Sequence, residues 1–162
     1  MKKLQIKLDT AYDVFEFLLK TIYDNFENNA SAYAYVSHLM SPFFASKSDF
    51  KLIKKIQNKG NIHYVCRSNS PLDKILSQFY NGFGSKVRLG ANLKFKDDIY
   101  LIKDMVIKIK VPDNFKRDID RLYFDTKSIL SFNMMKFFKS FAEKKVGFDV
   151  KIEGGKGNRA AK

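Results

Sequence analysis

Cysteine and tryptophan are almost missing from this sequence, and their scarcity excludes several kinds of protein. The 162 residues include one cysteine, Cys66, and no tryptophan. A single cysteine cannot form an internal disulfide framework or a cysteine-based zinc site. Cys66 ends an apolar run that is typical of a buried strand, so we expect an inert core thiol rather than a nucleophile.

Groups that usually carry catalysis are also scarce. His38 and His63 are the only histidines, and no HExxH, GxSxG, CxxC or GKS/GKT pattern occurs. The Gly154–Gly157 run has no following helix to bind phosphate, and the acidic pairs Asp97-Asp98 and Asp118/Asp120 have no further ligand nearby. The sequence therefore predicts no enzyme, no cofactor, no metal site and no small-molecule substrate.

Long apolar runs are absent. No stretch reaches the length of a membrane span, and the opening residues MKKLQIKLDT have no secretory apolar region. We therefore expect no membrane partner and a protein that works in the compartment where it is made.

Acidic residues are the minority among the charged ones. There are 30 Lys and Arg against 17 Asp and Glu, a net charge of +13, of which residues 81–162 contribute +9 (19 basic against 10 acidic). A domain this basic repels itself unless a polyanion neutralises it. Nucleic acid is the first candidate and a membrane surface the second, whereas a generally lysine-rich proteome is the alternative explanation.

In the first half, periodicity predicts a short strand at 1–8 and then helix, strand, helix, strand. The first helix starts at Ala11 behind Asp9 or Thr10 and ends at Asn28-Asn29, and a strand follows over 32–39. Ser41-Pro42 breaks that strand. Ser46 or Ser48 opens the second helix, Gly60 ends it, and Ile62 to Cys66 forms a strand.

The second half is predicted to be mainly strands. Residues 68–84 fit a helix or a strand, and Asn81-Gly82 indicates a hairpin turn. Residues 86–96 alternate most regularly and predict a long strand with one basic face. Further strands are expected at 99–102, 105–111, 122–124 and 150–152, with 113–121 as a charged connection and one helix capped by Asn133.

The sequence thus predicts an α+β fold of two small α/β halves. The N-terminal half, residues 1–68, is helix-strand-helix-strand, and the C-terminal half, residues 69–152, is mainly antiparallel β with one helix. Residues 153–162 form a basic, glycine-containing tail.

A polar loop between the expected strand at 122–124 and the following helix is the leading RNA-binding site. Its hydroxyls and lysine suit contacts to phosphate and ribose, and RNA is favoured over duplex DNA because no recognition helix is evident. The predicted RNA-binding residues are Thr126, Lys127, Ser128, Lys86, Arg88, Lys94, Lys47, Lys156 and Arg159.

Several short stretches, in order, resemble the small-subunit ribosomal protein eight family. They are Asp13-Val14-Phe15, Leu18-Leu19, Ser46-Lys47, Gly60-Asn61-Ile62, Tyr80-Asn81-Gly82, Ile99-Tyr100, Phe124–Ser131 and Val146–Val150. The family's Ser-Lys-Pro-Gly turn is missing, and its Gly-Gly-Glu is here Gly147-Phe148-Asp149. The resemblance implies a structural, rRNA-binding protein of the small subunit with Thr126, Lys127 and Ser128 on RNA, Gly147 and Asp149 shaping the next turn, and neighbouring ribosomal proteins as partners.

Two alternatives stay open. Residues 86–95, Phe141-Ala142 and 155–159 resemble the large-subunit ribosomal protein six family, although the helix expected at 10–27 does not fit that family. A stand-alone α/β ligand-sensing or regulatory domain would instead need a closed apolar pocket. The lysine-rich, divergent sequence leads to the hypothesis of a ribosome in the mitochondrial matrix, or otherwise in a prokaryotic cytoplasm.

Overall fold

The computed structural model describes residues 3–40 and 45–154, which form a seven-stranded mixed sheet and five α-helices. The strands are β1 Lys3–Leu8, β2 Ala30–Val36, β3 Gly60–Cys66, β4 Lys86–Arg88, β5 Asp98–Ile102, β6 Met105–Lys110 and β7 Phe148–Gly154. The helices are α1 Ala11–Asn25, α2 Lys47–Lys59, α3 Pro71–Gly82, α4 Asp113–Asp125 and α5 Met134–Phe137. A 3₁₀ turn, Ile129–Ser131, precedes α5, and a π-helical turn, Phe138–Ala142, follows it. The α+β prediction is confirmed.

One sheet includes strands from both halves of the described residues. The strand order is β1-β7-β6-β5-β2-β3-β4, and β2, β3 and β4 are parallel while the other pairings are antiparallel. The first strand therefore pairs with the last, and β2 of the first half pairs with β5 of the second.

The first half follows its sequence signals closely. Thr10 caps α1 and Ser46 caps α2, each in a capping box with an aspartate three residues later. Gly60 ends α2 and begins β3, where a Cβ atom would collide with the backbone of Ala30. Asn29 takes the left-handed conformation, with φ 62°, just before β2. The break expected at Ser41-Pro42 lies outside the described residues.

Residues 113–125 are a helix, so the predictions of a charged connection at 113–121 and a strand at 122–124 are wrong. Phe115, Ile119 and Leu122 recur at helical spacing, and α4 buries Phe115 and Tyr123 against the core. The C-terminal half consequently contains α3, α4 and α5 rather than one helix.

The long strand predicted over 86–96 is also wrong beyond Arg88. β4 is an edge strand whose only partner, β3, ends at Cys66. The chain then turns at Gly90, where φ is +69°, and Gly90 donates its N–H to the carbonyl of Ser68. Asn81-Gly82 forms no hairpin, because these residues end α3, which begins behind Ser70 and Pro71.

All the helices contribute to one core on one side of the sheet. Alternate residues of β2, β5, β6 and β7 are buried there, including Ala34, Ile107 and Val150, each at 0% exposure, and β3 adds Cys66, also at 0%. α1 packs beside α2, α3 beside α4, and the Phe138–Ala142 turn against α1. The molecule is therefore a two-layer structure in which one face of the sheet carries the core.

Candidate nucleic-acid interface

The face of the sheet opposite the helices is open among the described residues. None of its side chains is buried, in contrast to the alternating residues on the helical side. The open face consists of Lys3, Gln5, Lys7, Ser31, Tyr33, Tyr35, Asn61, His63, Val65, Lys86, Arg88, Ile99, Leu101, Val106, Lys108, Lys110, Asp149, Lys151 and Glu153. Residues directly paired across strands lie on the same face, so these side chains form continuous rows.

Two such rows cross all seven strands. The first runs Lys86, His63, Tyr33, Leu101, Val106, Glu153, Lys3. The second runs Arg88, Val65, Tyr35, Ile99, Lys108, Lys151, Gln5. Both rows are aromatic or apolar in the middle and end in charged or polar residues, and at the usual strand spacing each is about 29 Å long.

Aromatic rings in these rows pack against one another. The rings of Tyr33 on β2 and His63 on β3 stack on each other, with centroids 5.0 Å apart and planes inclined by 18°. Tyr33 is 42% exposed, although large aromatic side chains are usually mostly buried. Tyr35 and Phe95 meet edge to face, with ring centroids 6.0 Å apart. The open face thus carries partly exposed aromatic side chains.

Cations surround these rings. The open face carries seven Lys or Arg side chains and two carboxylates, a difference of +5: Lys3, Lys7, Lys86, Arg88, Lys108, Lys110 and Lys151 against Asp149 and Glu153. Lys108 and Lys151 are directly paired across β6 and β7, and like charges in this position destabilise a sheet. Glu153 offsets part of this repulsion, with its carboxylate 3.9 Å from Lys108 Nζ and 4.0 Å from Lys3 Nζ. A bound polyanion would offset the remaining repulsion between these lysines.

The irregular segment 89–97 borders the open face. Arg67, just after β3, donates one N–H to the carbonyl oxygen of Phe95 and another to Ser37 Oγ at 3.2 Å. Arg67 therefore fixes Phe95 beside Tyr35, where that ring, 36% exposed, adds to the partly exposed aromatic side chains.

A buried charged cluster joins the helical layer to the carboxyl end of β2. His38 Nδ1 lies 2.8 Å from Asp73 Oδ2, and its Nε2 lies 2.8 Å from Asp120 Oδ1. Asp73, which is fully buried, also accepts from Leu39 N–H at 2.9 Å and Ser70 Oγ–H at 2.6 Å. Each ring nitrogen of His38 therefore has a carboxylate partner.

The charges in this cluster stabilise one another. Burial alone would raise the pKa of Asp73 and of Asp120, but the hydrogen bonds and charges around each carboxyl group, with the contact to His38 foremost, together outweigh burial and leave both pKa values below the ordinary range. The ammonium group of Lys116 lies 3.0 Å from Asp120. Because both nitrogens of His38 are engaged, the cluster connects β2, α3 and α4 and offers no free base.

Asp98, at the start of β5, is a carboxyl group whose pKa is raised rather than lowered. Burial raises the pKa of Asp98 to about 6, although a hydrogen bond from Ser37 N–H at 2.8 Å opposes it. The thiol of Cys66 lies nearby, buried as predicted, and burial raises its pKa as well. A raised pKa makes this thiol a poor nucleophile at neutral pH.

Two apolar cavities lie between the sheet and the helices. The larger, about 90 Å³, is lined by residues such as His38, Tyr100 and Phe141, and the other, about 70 Å³, by residues such as Leu18, Ile56 and Tyr80. Ligand pockets generally measure about 300 Å³ or more. Both cavities are smaller than this. A more open cleft of about 620 Å³ lies beside α4, but it is lined largely by polar and charged residues such as Arg121, Thr126 and Lys136, so it is not the closed apolar pocket that a ligand-sensing domain would need.

The predicted RNA-binding residues do not lie on one surface. Lys86 and Arg88 belong to the open face, whereas Lys94 is exposed in the 89–97 segment and Lys47 begins α2. Lys156 and Arg159 lie outside the described residues.

The Thr126–Ser128 loop connects α4 to the 3₁₀ turn and is not at a sheet edge, contrary to expectation. Thr126 is 4% exposed and donates its hydroxyl to the carbonyl oxygen of Leu122. Lys127 donates to the carbonyl oxygen of Phe124, and Ser128 caps the 3₁₀ turn. Gly147 takes a φ of +75° before β7, and Asp149 lies within that strand.

Sequence reasoning missed Tyr33, Tyr35 and His63 as members of the interface. The run Ala32-Tyr33-Ala34-Tyr35 already held the signal, because alanine points to the core and tyrosine to solvent, the reverse of the usual pattern. The strand predicted at 105–111 includes Lys108, but the pairing of Lys108 with Lys151 depends on the strand order.

Comparisons with known proteins do not show a family for this chain. No family model matches the chain, and no curated protein matches it. Among solved structures, it is similar to TrmBL2, an archaeal chromatin protein, with 8% identity and a TM-score of 0.42, over 91% of this chain and 44% of that one. The chain thus spans less than half the length of that protein.

Residues 3–40 and 45–154 contain neither a membrane-spanning helix nor a cluster of metal ligands. None of the helices there is long and apolar enough to cross a bilayer. Within the same ranges, His, Cys, Asp and Glu side chains form no group of three suited to a metal ion.

Proposed function

We propose that the protein binds single-stranded RNA, without catalysis, on the open face of its sheet. The observation that carries the proposal is the stacked pair of exposed Tyr33 and half-buried His63, on a sheet face that also carries seven Lys or Arg side chains. Bases stack on aromatic side chains while the backbone phosphates follow surrounding cations. Duplex RNA hides its bases, so single strands fit this arrangement better.

Positive charge supports this proposal but does not by itself distinguish the open face from other lysine-rich surfaces. Lysines also cover α2, where Lys51, Lys54 and Lys55 are exposed, yet that helix presents no stacked pair of exposed rings. The open face combines both requirements, cations for phosphate and ring surfaces for bases.

Photo-crosslinking tests where RNA lies. A short oligouridylate containing 4-thiouridine is irradiated with the protein, and the adducts are mapped by mass spectrometry. We expect adducts on peptides that contain Tyr33, Tyr35 and His63, and a competing single strand to suppress them better than a duplex of equal length. Adducts confined to the peptides of α2, or to residues 126–128, would contradict the proposal.

A ribosomal role stays a prediction within this proposal. The net charge of +13 and the resemblance of short stretches to ribosomal proteins are its support. Sucrose-gradient fractionation of a cell lysate is the test. Co-sedimentation with a ribosomal subunit is expected, the size of that subunit would distinguish the two families, and protein left at the top of the gradient would contradict the role.

A further inference from the structure

The segment 124–135 exposes apolar side chains at an unusual density. Of the ten large hydrophobic side chains exposed among the described residues, five lie here. They are Phe124 at 52%, Ile129 at 49%, Leu130 at 95%, Met134 at 43% and Met135 at 66% exposure. Single exposed hydrophobic residues are normal, but a cluster marks a binding surface. We call residues 124–135 the apolar tip.

Part of the backbone of the apolar tip is hydrogen-bonded within the tip or to α4. Thr126 donates its N–H to Leu122, Ser131 to Ser128, and Phe132 to Ile129. Ser128 and Ser131 also cap each other's N–H groups. Polar groups that have partners can enter an apolar environment at far lower cost than unpaired ones.

The apolar tip is supported from behind. Phe132 packs its ring 5.2 Å from that of Phe137, which is 2% exposed and belongs to the core. The exposed side chains therefore stand on a braced turn. Little further ordering is needed when they become buried, which favours binding.

Cations surround the apolar tip. Between residues 121 and 139, Arg121, Lys127, Lys136 and Lys139 are exposed, and Asp125 is the only acidic residue, so the net charge there is +3 (4 − 1). Apolar side chains within a basic rim match the surface of an anionic bilayer, where acyl chains lie beneath phosphates.

We propose that the apolar tip inserts into the surface of anionic membranes. Leu130 and Met135 enter the boundary between headgroups and acyl chains, and the four basic side chains contact lipid phosphates. The tip consists of neighbouring side chains on a short turn, and insertion needs no pre-shaped partner groove. This proposal is independent of RNA binding, because the tip and the open face share no residue.

Vesicle flotation tests the proposal. The intact chain is mixed with vesicles of three parts phosphatidylcholine to one part phosphatidylglycerol, or of phosphatidylcholine alone. We expect flotation with the anionic vesicles, and a part of it that persists at about 500 mM NaCl, where exposed charge pairs are screened. The double variant Leu130→Ser/Met135→Ser should lose at least tenfold in partitioning.

A matched control separates insertion from charge. Phe50 is 38% exposed on α2, with Lys47, Lys51 and Lys54 nearby in sequence, so Phe50→Ser removes an apolar side chain from an equally basic environment. Phe50→Ser should float like the wild type. Circular dichroism melting verifies that all variants fold.

Three outcomes would overturn the proposal. The first is an absence of flotation by the wild type, and the second is unchanged partitioning of the double variant. The third is self-association or binding of another protein that Leu130→Ser/Met135→Ser abolishes while vesicle binding remains intact, because the apolar tip would then be a protein contact.

Discussion

The two faces of the sheet are formed by the same strands but differ in burial: one is covered by helices and the other is open. In β2, Ala32, Ala34 and Val36 are buried beneath helices, whereas Tyr33 and Tyr35 point to the open face. In β6, Met105, Ile107 and Ile109 are buried, whereas Lys108 and Lys110 point outward. Because strand side chains alternate, one face can hold the fold together while the other remains available for binding.

The two faces differ in how their charged groups are paired. On the covered side, charged groups are few and mutually satisfied, as in the cluster of His38, Asp73 and Asp120. On the open face, cations outnumber anions, and Lys108 faces Lys151. Stability should therefore depend on the covered side and binding on the open face.

Asp73→Ala should cause the largest loss of stability. It removes the carboxylate that accepts from Leu39 and Ser70 and contacts His38, and leaves these buried polar groups unpaired. Each buried polar group left unpaired costs about 1–3 kcal/mol. Urea unfolding followed by circular dichroism measures the change.

Asp49→Ala is the matched control for Asp73→Ala. Asp49 is likewise the third residue after the N-cap, here in α2, but its hydrogen bonds are solvent-exposed. It should cost about 1 kcal/mol. Equal losses from the two variants would contradict the role given to the buried cluster.

Asp98→Asn should have a smaller effect, confined to a pH range. The pKa of Asp98 rises from 3.8 to about 6 on folding, so the folded state binds the proton more tightly than the unfolded one. Ionisation of Asp98 therefore lowers the free energy of unfolding as pH rises from about 4 to about 6. The upper limit of this loss is about 3 kcal/mol, and the actual loss is smaller because Asp98 is only half-buried.

Asparagine at position 98 can still accept the hydrogen bond from Ser37 N–H but does not ionise. Thermal melting between pH 4 and pH 7.5 should show a flatter profile for Asp98→Asn and a higher melting temperature at neutral pH. A wild-type profile without a decline in this range would refute the assignment.

Lys151→Gln should have the smallest effect on stability and the opposite sign. It removes the repulsion between Lys108 and Lys151, which predicts a gain of up to about 1 kcal/mol. The same change should weaken RNA binding and reduce the slope of log K against log salt by about 0.7. A loss of stability together with unchanged RNA affinity would contradict the functional interpretation of this pair.

Local signals predicted the first half well because caps and periodicity agree there. Thr10, Ser46 and Gly60 each mark a boundary that lies where it was expected. The structure of the second half was predicted less accurately. The alternation at 86–96 is as regular as in any strand, but β4 has no partner beyond Arg88, and the sequence does not reveal strand order.

The candidate site could be predicted only in part for the same reason. Lys86 and Arg88 were recognised from their strand, but Tyr33, His63 and Lys151 come together only through pairing across β2, β3, β6 and β7. The Thr126–Ser128 loop was expected beside a sheet because α4 was not recognised. Its polar side chains serve to cap and close the turn instead.

Fluorescence anisotropy of a labelled oligouridylate with Tyr33→Ala and Phe83→Ala tests the central claim most directly. The two aromatic residues are almost equally exposed, at 42% and 41%, but Phe83 lies at the end of α3, away from the open face. If bases stack on Tyr33, Tyr33→Ala should cost about 1–3 kcal/mol of binding free energy, roughly 5- to 150-fold in Kd, whereas Phe83→Ala should match the wild type. Equal affinities for both variants and the wild type would contradict binding on the open face.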